Sequence, residues 1–485
     1  MNSSPPTSTS AFESADRPAR SGELIALLGL SSLITGLDFT IVYVALPDIA
    51  ADLGLSPYGL QWVISAYAIA FGGFLLLAGR LVDLFGARRV FLGGMVLFTV
   101  GSVLGALSAT PELLIGARAL QGIGAALLFP STLTLVMTSF EEGRQRDRAL
   151  GVWAAAGAAG LSLGALAGGI LTDLTGWQGV FWVNLPMTGA SILAASRLIP
   201  GNVSREAGGR LDLPGAVTGT VGMTLLVFTI AQGPELGWTS GRVLLAGVCG
   251  LLLLACFVAI EAVSTRPLLP LSLFRNPNLR VASVVILLFG MTLNTVPYVL
   301  TQFFQTILNF SALQAGLAFL VPTTAITVGT LVGEKLIALV GIRNVLLLAL
   351  LIGGAGTFAI SLVLAEGGGL LMAAPAIAAF GLGLGTVYPA MFSAAATGVS
   401  GPQAGVASGF SSTALQLGSA IGLAVVVAVS THSGHEVAQV RTGLQDGLYL
   451  VTAGAFLAAL TTLLLPRQAG VGKGEFIPED TPIPG

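Results

Sequence analysis

Apolar residues run through this chain in long blocks, separated by short stretches where Gly, Pro, Asn, Asp and the basic residues gather. Blocks of about 20 residues match the length an α-helix needs to cross a hydrocarbon layer of roughly 30 Å. Hydropathy read against turn and charge signals predicts fourteen helices, over 24–49, 59–79, 89–110, 112–139, 149–172, 178–199, 213–232, 242–263, 279–303, 314–334, 343–365, 370–393, 404–430 and 446–465. An even number puts both termini on one side. Residues 1–21 are polar and Ser/Pro-rich, without the compact pattern of a cleaved signal peptide, so the first apolar block is expected to be retained.

Charge then sets the orientation, because Lys and Arg accumulate in cytoplasmic loops. With both termini cytoplasmic, that face receives 18 of the 21 basic residues; the other face keeps Arg242 and Arg441, and Arg118 falls inside a helix. Losing one helix from the count would invert every later loop and destroy this bias. Only 9% of residues are charged and 54% are apolar, whereas a soluble surface is about a quarter to a third charged. Lipid therefore has to cover the chain, and a cell inner (cytoplasmic) membrane is the location expected for it. A net charge of −2 gives no support for nucleic acid as a partner. Cys249 and Cys256, seven residues apart in one apolar block, are too far apart along a helix to bridge each other and read as packing residues.

An internal repeat organises the helices. Gly86-Ala87-Arg88 and Gly341-Ile342-Arg343 close two similar loops, 79–90 and 333–345, at an offset of 255 residues. Gly122, Gly124 and Pro130 match Gly381, Gly383 and Pro389 at 259; Gly164 and Gly168 match Gly418 and Gly422 at 254. Three pairings in order at nearly one offset describe duplicated halves, a plan in which two bundles rock about a central site. The predicted fold is all-α, with fourteen helices arranged 6+2+6. Its parts are a disordered cytoplasmic N-terminus (1–21), a six-helix bundle (22–199), a cytoplasmic linker with an extra helix pair (200–263), a second six-helix bundle with its preceding loop (264–465) and a cytoplasmic tail (466–485).

Few residues can carry chemistry at membrane depth. Asp38 lies inside the first predicted helix, where a carboxylate must face a cavity, find a partner or take a proton. It reads either as a proton or substrate site or as a permanently paired structural group. Arg118, inside the fourth helix, keeps its charge and so must be paired or reach water; Asp38 is a natural partner, and Gln121, three residues on, shares its face. A coupling role competes here with a bundle staple. In the 79–90 loop, Gly79 and Gly86 allow a tight connection, Asp83 can engage helix-end amides or an Arg, and Arg88 can anchor at the membrane surface, giving a gate or a static topology signal. Gly157, Gly160, Gly164 and Gly168 line one face of the fifth helix, for close packing or for a seal that moves.

Gln61, Asn184, Asn294, Tyr298, Gln302 and Gln416 are polar groups that can line a cavity, with Trp62, Tyr67, Phe289 and Tyr388 as aromatic contacts; Gln121 belongs with them. Each also fits ordinary packing. Besides Asp38, carboxylates at membrane depth are scarce, with Glu261 near a helix end. His432 and His435 fall in the loop before the last helix. No metal, cofactor or enzymatic constellation is expected, since only two His occur and both lie outside the apolar core.

Together these motifs resemble the fourteen-helix drug:proton antiporter family of the major facilitator superfamily. Leu37-Asp38-Phe39-Thr40 through Ala45-Leu46-Pro47 is similar to its first-helix motif, 79–90 to its loop motif, and Arg118, Gln121, Gly122 and Gly124 to its fourth-helix motif. Similarity continues through Trp177, Asn184-Leu185-Pro186, Leu273-Phe274-Arg275, Ala315-Gly316, 381–385 and Gly405. The resemblance implies export of amphipathic compounds driven by inward proton movement with alternating access. Asp38 and Arg118 would serve coupling or transfer, and Asp83 and Arg88 conformational control. Its expected partners are a small amphipathic substrate, protons and membrane lipid, with the chain acting as a monomer. Departures accompany it: 164–169 reads Gly-Ala-Leu-Ala-Gly-Gly without the family's Pro, Trp177 is followed by Gln178, and Leu415 precedes Gln416. They favour neutral, weakly charged or anionic amphiphiles over dications, and leave room for a dedicated exporter of one lipid, peptide or natural product, with different or no proton coupling.

Overall fold

A computed structural model describes residues 17–140, 144–199, 213–264, 271–399, 401–431 and 437–466. Among these residues there are helices and no strand. Counting interrupted helices once, they form α1 (Arg17–Leu53), α2 (Pro57–Phe85), α3 (Ala87–Ala106), α4 (Pro111–Ser139), α5 (Arg144–Thr175) and α6 (Gly179–Trp182 with Asn184–Leu198). There follow α7 (Leu213–Leu236), α8 (Gly241–Val263), α9 (Pro277–Ile307), α10 (Ala312–Val340), α11 (Ile342–Ala365), α12 (Leu370–Ala396), α13 (Gly401–Thr431) and α14 (Val437–Thr462). Ten are long and apolar enough to cross a membrane, and α2, α5 and α7 contain shorter apolar stretches.

Local sequence explains where helices start and break. Ser56, Thr110 and Asn276 accept backbone N–H bonds from Gly59, Leu113 and Asn278, each just ahead of a Pro at the first helical position; the side chain satisfies an orphan donor and the Pro has none to satisfy. Gly86 and Gly341, at φ 84° and 80°, turn α2 into α3 and α10 into α11. Three helices predicted as continuous are interrupted. The α6 pieces part at Val183, α9 passes through a 3-10 turn at Leu293–Thr295, and the α10 pieces part at Phe319. Pro186, Pro297 and Pro322 follow these points, and each lacks an N–H for, and crowds, the carbonyl four residues earlier. Pro47, Pro130, Pro375 and Pro389 sit in helices without such a break. Farther along, α9 ends in a π-turn at Phe303–Ile307.

The duplication is visible in contacts. Methyl groups placed on Gly164 and Gly168 of α5 would strike the carbonyls of Leu37 and Ile41 in α1; on Gly418 and Gly422 of α13 they would strike those of Leu287 and Met291 in α9. Each carbonyl pair is 250 residues apart. Gly124 of α4 faces Gly94 and Phe98 of α3, and Gly383 of α12 faces Ala349 and Gly353 of α11, 255 residues later. Taking α1–α6 and α9–α14 as the two bundles, the pairs α1–α5 and α3–α4 of the first are packed by the same glycine contacts as α9–α13 and α11–α12 of the second. The pair α7 and α8 cross closely at Gly222 and Gly250, and α7 rests on α2 and α13, with Thr220 donating to the Gly73 carbonyl at 2.7 Å. Outward, α8 presents Leu244, Leu245, Val248, Leu251 and Leu252, an apolar face suited to lipid. Its two cysteines are free.

Named contacts joining the bundles lie from mid-depth to the face opposite that on which α1 begins. Thr413 of α13 donates to the Gly72 carbonyl of α2 at 2.9 Å, and Gln305 of α9 to the Val44 carbonyl of α1 at 2.7 Å. At the far end Gly169 of α5 packs against Ala312 and Gly316 of α10.

Candidate functional site

At the middle of the first bundle, side chains from five helices meet around Asp38, which is fully buried. Arg118 Nη1 donates to Asp38 Oδ2 at 2.7 Å. Gln121 Nε2 and Asn184 Nδ2 both donate to Asp38 Oδ1, at 3.0 and 2.9 Å. The carboxylate therefore accepts three hydrogen bonds, as an ionised carboxylate, an acceptor only, can do.

Arg118 is equally well held. Its Nη1 also donates to Gln121 Oε1 at 2.8 Å, its Nε to the Val63 carbonyl of α2 at 3.1 Å, and its guanidinium lies 4.5 Å from the Tyr67 ring centre. A buried ion pair repays its desolvation only with such geometry and full hydrogen bonding. Ser102 of α3 completes the cluster, accepting from Gln121 at 2.9 Å and Asn184 at 3.3 Å while donating to the Phe98 carbonyl at 2.9 Å. Gly101 beside it leaves the room that the Gln121 side chain occupies. On α5, Gly164 packs beside Leu37 and Thr40, so the glycine ladder sets α1 at close range directly around Asp38.

The structure brings together Asp38, Arg118, Gln121, Asn184 and Tyr67. Asn184 stands on the carboxylate rather than apart in a cavity wall. Ser102 carries no sequence signal, since a lone serine in an apolar helix usually bonds back to its own backbone. The remaining candidates are dispersed. Trp62 faces Phe228 of α7 with ring centres 5.9 Å apart. Gln416 sits against Gly72, Asn294 donates to Ser419 Oγ at 2.7 Å, and Gln302 Oε1 accepts from Thr306 at 2.8 Å. Gln61, Tyr298 and Phe289 are buried, while Tyr388 is 44% exposed beside Phe392.

In the loop motif, Gly79 lies within α2 with open space around it, so Gly86 alone makes the turn. Arg88 donates to the Ser196 carbonyl at the end of α6 at 2.9 Å, an anchor inside the first bundle. The Asp83 side chain, His432 and His435 lie outside the described residues.

Known proteins agree with this architecture. Residues 28–423 match the sequence profile of the Major Facilitator Superfamily. The cephamycin export protein CmcT of Amycolatopsis lactamdurans is 39% identical over 441 residues, 89% of this chain and 90% of that protein. The puromycin resistance protein of Streptomyces alboniger is 36% identical over 436 residues, 88% of this chain and 84% of its own length. Among solved structures, the human organic anion transporter MFSD10 superposes with a TM-score of 0.62 at 17% identity, covering 91% of this chain and 99% of its own. The nucleoside transporter NupG gives 0.65 at 13% identity, covering 92% and 100%. At such identities these two speak for the fold alone.

Proposed function

Because the chain belongs to the Major Facilitator Superfamily, we propose that it is a secondary transporter exporting amphipathic antibiotics or related small molecules by alternating access, driven by protons moving inward. The observation that carries the coupling is the buried Asp38–Arg118 pair, with Gln121 and Asn184 on the carboxylate. Asp38 is the membrane-depth group able to gain and lose a proton, and Arg118 is the fixed charge that competes for it. Fourteen crossings with both termini cytoplasmic put 18 of 21 basic residues on the inner side. In that orientation the bundles meet towards the outer face, a state sealed outside, and a monomer holds the whole path between them. Gly86, Arg88, Gly164 and Gly168 act as packing and anchoring points of the moving bundle.

A narrower substrate range, down to one dedicated natural product, is favoured by the similarity to a cephamycin export protein. Mostly uncharged side chains among the path candidates point the same way. Proteoliposomes test both readings with puromycin and a cephamycin as probes. Uphill substrate movement should be matched by opposite proton movement, and Asp38→Asn should abolish the uphill component. Uphill transport by the unaltered protein without proton flux would rule out this coupling.

A further inference from the structure

Two carboxamides donate to the same oxygen of Asp38, and they differ in what holds their other end. The Gln121 carbonyl Oε1 accepts from Arg118 Nη1 at 2.8 Å, so turning that amide over would break a charge-assisted bond and set N–H against N–H. The Asn184 carbonyl Oδ1 is buried and has no hydrogen-bond partner, although the residue is wholly inaccessible to solvent. An orphaned acceptor of this kind has lost its water and gained nothing in exchange, and native interiors seldom keep one without a reason.

A second charge state of Asp38 supplies that reason. A proton on Asp38 Oδ1 turns an acceptor into a donor, facing two amide N–H groups. Arg118 has no acceptor to offer. Ser102 Oγ is already accepting from both amides while donating to Phe98. Of the two amide oxygens beside the carboxyl, Gln121 Oε1 is held by Arg118 and Asn184 Oδ1 carries no bond. We propose that the Asn184 carboxamide makes a half-turn when Asp38 takes its proton, serving the carboxylate with Nδ2 and the carboxylic acid with Oδ1. Asn184 is then a positioning residue for the coupling proton and not a substrate contact.

This rests on the reading of Asp38 as the coupling group. The half-turn is about the terminal torsion, which is broad and close to twofold, and Nδ2 at 2.9 Å from the carboxylate already marks the distance Oδ1 would take up. The proton comes from water, bonds to Asp38 Oδ1, and no covalent bond of Asn184 changes. Charged or titratable groups facing the carboxyl are Arg118 of α4, the Tyr67 phenol of α2 stacked on it, and the buried Tyr43 of α1 within reach of the Arg118 charge. From α3 and α6 come the neutral Ser102 and Asn184, and from α5 Gly164.

Infrared difference spectra of the purified full-length protein, labelled with carbon-13 in its asparagine side chains and stepped through pH, test this directly. A protonated-carboxyl band that disappears in Asp38→Asn should titrate together with an asparagine amide band that disappears in Asn184→Leu. Asn184→Ser, which keeps a small polar residue in α6, serves for the same subtraction where the leucine variant does not fold. An Asp38 band that titrates while no Asn184-dependent band moves would make Asn184 a static donor and overturn the proposal. If no Asp38-dependent band appears across the pH range that drives transport, the coupling reading itself falls and takes this inference with it.

Discussion

At the scale of single residues, the two halves share a frame and differ in chemistry. By the offsets that relate the bundles, Leu288 stands where the first half has Asp38, Ile377 and Phe380 where it has Arg118 and Gln121, and Thr357 where it has Ser102. Ile377, Phe380 and Thr357 are fully buried, so the same space can be filled without charge. Arg118→Ile should therefore strand a buried carboxylate and lower stability by roughly 3–5 kcal/mol, whereas Asp38→Leu with Arg118→Ile, copying the second half, should regain most of that loss. Thermal unfolding reads the stability and proteoliposome flux the activity, which stays absent in both; a double variant as unstable as the single one would contradict the account. Asp38, Arg118 and Gln121 were legible in the sequence because a charge in an apolar helix demands a partner and a spacing of three fixes a face. Ser102 is not, and Asn184 looks in the sequence like a cavity residue, because an amide or hydroxyl in a helix does not reveal which neighbour it meets.

Helices show a similar division between what spacing encodes and what contact decides. Apolar block lengths located the helices, yet the interruptions of α6, α9 and α10 follow Pro186, Pro297 and Pro322 while four other prolines leave their helices whole. Whether a proline breaks a helix depends on neighbours that can absorb the freed carbonyl, which no single helix displays. Glycines divide likewise. A side chain at Gly164 would meet Thr40 and the Leu37 carbonyl, whereas one at Gly79 would meet nothing within 4 Å. Gly164→Val should cost about 1–3 kcal/mol through overpacking and should lower transport by displacing α1 around Asp38. Gly79→Ala, in open space within α2, should add roughly 0.5–1 kcal/mol of stability and keep transport. Paired melting and flux measurements check both, and a transport-dead Gly79→Ala would restore to that position the gating role its loop motif suggested.

For the whole molecule, the duplicated halves were readable from three glycine offsets, but the contacts between them were not. They consist of threonine and glutamine side chains on carbonyls, Thr413 to Gly72 and Gln305 to Val44, and of small residues meeting at Gly169, Ala312 and Gly316. None of these differs in sequence from ordinary packing. Of the extra pair, without a repeat counterpart, α7 lies against α2 and α13 beside the Thr413 contact, with Thr220 fastened to Gly73 next to Gly72. Every named contact between bundles lies at mid-depth or beyond, so the state seen is held closed at the far face. Enlarging that contact should open it: Gly169→Leu has no space between Ala312 and Gly316, and should shift the bundles towards the outward-open arrangement. The measure is labelling of Tyr388→Cys, a position exposed in the present state, by a membrane-impermeant maleimide, with Cys249 and Cys256 replaced by Ser. Reagent reaching Tyr388→Cys from the face where α1 begins should react severalfold more slowly once Gly169→Leu is added. An unchanged rate would mean that the packing of α5 on α10 does not govern which face is open.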